Sequence, residues 1–109
     1  MTKLFYLYGS ESDDIEEMRR LLEATLGITF AHHEGYFSGE YYLWGRIYEE
    51  SLILQPNSEL DDDGPVPTEP DFQEMQLLLY VNCPSSPQEI RDALASISDR
   101  IRLLRVNEV

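Results

Sequence analysis

Between Ile47 and Ile90 the chain has no Lys or Arg, while the same stretch carries ten acidic residues. Nucleic-acid backbones and anionic lipid headgroups are held by basic side chains, so this stretch repels both and attracts basic surfaces. Cysteine is nearly absent too. A lone Cys83 allows no internal disulfide, which fits a reducing compartment. No apolar run approaches the ~18–20 residues that cross a bilayer. The N-terminal residues lack an apolar core followed by a small-residue cleavage pattern, so no signal peptide is expected and the expected location is cytoplasmic. The glycines are scattered and form no phosphate-binding loop, and no serine sits in a Gly-x-Ser-x-Gly context. The expectation is a protein without enzymatic activity or cofactor.

What is present is ordinary for a folded protein. The 109 residues are 42% apolar with a net charge of −13. That length predicts one domain over residues 1–109 with a radius of gyration of about 13 Å, and the apolar content argues against a disordered acidic tail.

Leu4–Tyr8 reads as a strand. A helix is expected from about Asp13 to Leu26, capped by Ser12 or Asp13, with Ile15, Met18, Leu22 and Leu26 as its core stripe and Gly27 as its stop. Strands follow over Ile28–His33, Glu40–Tyr48 and Ser51–Gln55, with a glycine-bracketed loop at Tyr36 and Phe37 between the first two. Residues 56–72 hold four prolines and six acidic residues and read as an acidic loop with no packed role. Glu74–Val81 is the strongest strand. Ser86-Pro87-Gln88-Glu89 predicts a helix start with a capping box, and Ile101–Val106 a last strand. The order β-α-β-β-β-β-α-β predicts an α+β domain: about six strands, mostly antiparallel, with two helices packed on one face.

Sites are harder to find. Glu59, Asp61, Asp63 and Gly64 match the first half of a calcium-binding loop, but position twelve is Pro70 where the bidentate Glu belongs. A solvated acidic loop is the better reading. His32 and His33 are adjacent on a strand and point to opposite faces, so they do not converge on one metal ion. No metal site is expected. Cys83 has no local motif that activates it, and a small, packed thiol is the default. Glu49 and Glu50 diverge as consecutive strand residues, which weakens an acid/base pair.

The aromatics are more suggestive. Along Glu40–Tyr48, Tyr41, Leu43 and Ile47 share one face, and Tyr42, Trp44, Arg46 and Tyr48 the other. If the helices cover the Leu43 side, Tyr42, Trp44 and Tyr48 line an open sheet face beside the acidic block, as anchors within a charged rim. The reversed phase makes the same rings core. Arg91, Arg100, Arg102 and Arg105 collect near the C-terminus, where they either give the molecule a dipole that permits weak self-association or pair with the acidic half.

Several stretches resemble a known group. His33-Glu34-Gly35, Ser38-Gly39-Glu40-Tyr41-Tyr42, Glu50 to Asn57 and Leu77 to Asn82 resemble the small acidic immunity proteins of contact-dependent growth inhibition and related polymorphic-toxin systems, over roughly residues 32–83. The resemblance implies tight cytoplasmic binding of one cognate toxin C-terminal domain. The charge agrees: a nuclease toxin has a basic cleft, into which an acidic inhibitor is steered. The expected partner-binding residues are Glu49, Glu50, Asp61, Asp62 and Asp63 for steering and pairing, with Tyr42 and Trp44 as anchors, in a monomer or weak homodimer. The competing reading is an acidic regulatory adaptor or DNA mimic that binds a basic host factor.

Overall fold

The computed structural model describes residues 2–35 and 39–109. Tyr36 and Phe37, the expected loop-tip aromatics, lie outside the described residues. The chain forms β1 (Leu4–Ser10), α1 (Ile15–Leu26), β2 (Ala31–Gly35), β3 (Gly39–Gly45), β4 (Ser51–Pro56), β5 (Glu59–Asp61), β6 (Gly64–Val66), β7 (Leu77–Asn82), α2 (Pro87–Ala95) and β8 (Arg102–Glu108). Six strands make one antiparallel sheet in the order β2-β3-β4-β7-β1-β8. This is the expected α+β architecture. The radius of gyration is 13.4 Å, matching the compact-chain scaling.

Both helices lie on one face of the sheet, where Met18, Leu22 and Leu94 pack against Tyr6, Tyr8, Leu52, Leu54, Leu79 and Val81. Helix α1 begins one or two residues later than expected. Asp14 is its cap and accepts from the Glu17 amide at 3.0 Å, while Ser12 Oγ accepts from the Asp14 amide. Gly27 closes it in the left-handed conformation, and its amide donates to the Glu23 carbonyl. Helix α2 starts at Pro87 as expected, but the Ser86 side chain makes no capping hydrogen bond.

The acidic segment departs from expectation. Residues 59–66 form a hairpin with Asp62 and Asp63 at its turn. The following residues fold onto the second face of the sheet, where Phe72 and Met75 pack with Leu7, Leu78, Tyr80 and Leu104. Met75 is 2% exposed. Asn57 fastens the segment: its Nδ2 donates to the Phe72 and Met75 carbonyls at 2.9 and 3.0 Å, and its Oδ1 accepts from the Glu69 amide at 2.8 Å. Arg105 on β8 donates to Glu69 at 2.6 Å. The composition is that of a loop, yet two apolar residues and one amide suffice to give it a packed role.

Candidate functional site

The phase of β3 decides which aromatics are available. Tyr42 pairs with Leu54 and Trp44 with Leu52, and both leucines are buried beneath the helices. The helices therefore cover the Tyr42–Trp44 side, opposite to the expected phase. Tyr42 is 6% exposed. Its hydroxyl donates to Glu16 of α1, and the Arg19 guanidinium lies 5.4 Å from its ring centroid. Trp44 is half-buried against the same core. Neither stands on an open sheet face, so neither is an anchor of the kind expected. The physical reason is register: β3 carries apolar residues on both faces, and its pairing with β4 places the Tyr42 set inward.

β3 also ends earlier than expected. Gly45 takes φ 88°, and a Cβ there would overlap the Glu50 carbonyl oxygen. The chain turns at this glycine, and the Arg46 amide donates to that carbonyl at 3.0 Å to close the corner. Tyr48 thus sits in a turn rather than a strand, at φ 72° and 96% exposed. Ile47 beside it is 51% exposed.

This corner overhangs a groove of about 340 Å³ on the second sheet face, at the end that the 57–76 segment does not reach. Phe5 and Ile53 line it together with Ile47 and Tyr48. Asn82 and the buried Ser51 also line it and are hydrogen-bonded to each other at 3.3 Å. Cys83, the left-handed residue that follows β7, lines it as well. Lys3 contributes one cation and Glu49 one carboxylate.

The seven predicted partner-binding residues therefore separate. Glu49 is on the groove, exposed, and 3.9 Å from Arg46. Glu50 is committed to structure: its carboxylate accepts from the Ser85 amide at 2.6 Å and from the Ser85 hydroxyl at 2.9 Å. Asp61, Asp62 and Asp63 are exposed at the hairpin tip beyond the other end of β4. Tyr42 and Trp44 are under the helices. Ile47, Phe5 and Ile53 were missed. The available signal was Gly45 itself, a strand breaker that makes Arg46–Glu50 a turn.

Three of the four arginines near the C-terminus pair internally, Arg100 with Glu17, Arg102 with Glu74 and Arg105 with Glu69, while Arg91 lies over the Tyr6 ring. With Arg19 on Glu16 and Glu23, and Arg46 on Glu49, five of the eight Lys and Arg residues are engaged in this way. What faces outward is dominated by carboxylates. Burial pushes the Tyr80 hydroxyl up to about 12, reinforced by the adjacent Glu69 carboxylate and opposed by Arg105.

His32 and His33 take opposite faces, His32 beside Tyr42 and His33 stacked on Tyr41. Among the described residues, no group of three or more His, Cys, Asp or Glu side chains is arranged to hold a metal ion, and no helix is long and apolar enough to cross a membrane. No protein-family model matches the chain, and no curated protein matches it.

Proposed function

We propose that this protein is an immunity-type inhibitor that neutralises a basic toxin domain, most simply a nuclease, by occupying it in the cytoplasm. It acts by binding rather than by turnover. The observation that carries the reading is the Arg46–Glu50 corner, which holds an almost fully exposed Tyr48 and an exposed Ile47 over an apolar groove on a strongly acidic molecule. An exposed aromatic next to a desolvatable pocket, rimmed by charge, is the anatomy of a protein-binding hot spot. The carboxylates of the hairpin tip supply the attraction that brings a basic partner in.

The test is capture of partners from the native lysate on the immobilised full-length protein, at low and high salt, read by mass spectrometry. Retention of one toxin C-terminal fragment through high salt, with rescue of cells expressing that fragment, supports inhibition. Many basic proteins released together as salt rises would replace this reading with a non-specific acidic adaptor.

A further inference from the structure

We infer that the groove beneath Tyr48 receives an aliphatic side chain adjacent to an arginine on the partner, with the arginine pairing with Glu49 against the Tyr48 ring. This deepens the inhibitor reading and rests on it for the partner's identity. At about 340 Å³ the groove is at the small end of ligand sites and has room for an aliphatic side chain together with part of its neighbour. Its polar floor is partly paired within itself, because Asn82 donates to Ser51, which lowers the cost of covering it with an apolar occupant. Phe5, Ile53 and Ile47 supply the apolar contact.

The flanking cation follows from two facts about Glu49. Its existing partner, Arg46, is held at 3.9 Å between side chains that are 85% and 65% exposed. Such an exposed surface pair contributes little and yields readily to a better-placed guanidinium. Glu50, by contrast, is bound to Ser85 and is not free to turn. An arginine at Glu49 also meets the exposed face of Tyr48, where a guanidinium gains from stacking on the ring as an ammonium does less well. The molecule's excess of negative charge favours that cation over any anionic occupant.

The experiment titrates the isotopically labelled full-length chain with two short basic peptides that differ at one position, Arg-Leu-Arg against Arg-Ser-Arg, and follows the backbone amide signals by NMR. Cys83, the only cysteine, gives a second readout through its rate of alkylation. The leucine peptide should move the Ile53, Asn82 and Cys83 amides and slow alkylation, and the serine peptide should bind about tenfold more weakly. Glu49→Gln should weaken both peptides, and Tyr48→Gly should abolish the difference between them. The glycine preserves the left-handed backbone at that residue, so the variant keeps its corner. Equal binding of the two peptides, shifts confined to Asp61–Asp63, or no shifts at millimolar peptide would overturn the proposal. None of these outcomes depends on finding the toxin. If one toxin is retained through high salt while the peptides fail, the inhibitor reading stands and the groove is not its contact.

Discussion

At Gly45 a single missing side chain sets the geometry of the whole corner. Its positive φ is available to glycine at little cost, and any Cβ would collide with backbone rather than with a movable side chain. Gly45→Ala should therefore destabilise the protein by about 1–3 kcal/mol in urea unfolding, and it should shift the Tyr48 and Glu49 amide resonances before the midpoint moves. Tyr48 is the contrasting case. An L-residue held in the left-handed region costs about 1–2 kcal/mol, and nothing in the fold compensates an exposed ring. Tyr48→Gly removes that strain but adds about 0.5–1 kcal/mol of backbone entropy cost, so its stability should lie within about 1 kcal/mol of the parent. An unfolded variant would show that the ring packs more than its exposure indicates.

Among the elements, the 57–76 segment is the one whose character the structure changes most. It covers the β1–β7–β8 part of the second sheet face and leaves the β4 end open, so it defines where the groove begins. Asn57 holds it with three hydrogen bonds to backbone groups. Loss of these in Asn57→Ala should cost about 2–3 kcal/mol, since each net bond contributes about 1 kcal/mol and the freed groups regain only part of it from water. Hydrogen exchange at the Glu69 and Phe72 amides should accelerate in this variant, while the β4 and β7 amides stay protected. Uniform acceleration across the sheet would mean the segment is integral to global stability rather than a separately opening strap.

For the molecule as a whole, charge and burial make separate predictions. Asp61, Asp62 and Asp63 are exposed at the hairpin tip and do not line the apolar groove, so they contribute field rather than packed contact. Replacing all three by Asn should slow association with a basic partner about tenfold at low ionic strength and leave dissociation nearly unchanged. An unchanged rate and salt dependence would remove the hairpin tip from the encounter. Tyr80 sets a limit at alkaline pH. Its folded value, raised to about 12 from an ordinary 10.0, means the folded state keeps a proton that the unfolded chain releases. Stability from this group is complete below about pH 10 and falls as pH rises toward 12. Burial raises Tyr8 in the same direction, so both act together. Tyr80→Phe should flatten part of the decline when urea midpoints are compared between pH 9 and pH 12.

The sequence alone determined the α+β class, the eight main elements in order, the Gly27 stop and the acidic excess. Each of these follows from local periodicity, capping chemistry or composition, which need no partner strand. The face of β3 was different. Tyr41 and Leu43 lie on one side and Tyr42 and Trp44 on the other, and a two-residue period cannot choose between two apolar faces. Pairing with Leu52 and Leu54 of β4 chose, and it turned the expected anchors into core. The packing of Phe72 and Met75 onto the sheet, and the position of Tyr48 over Phe5 and Ile53, were likewise decided by the tertiary structure. Phe5, Leu7 and Leu104 meet these residues from tens of positions away, and no local pattern in the chain encodes that meeting.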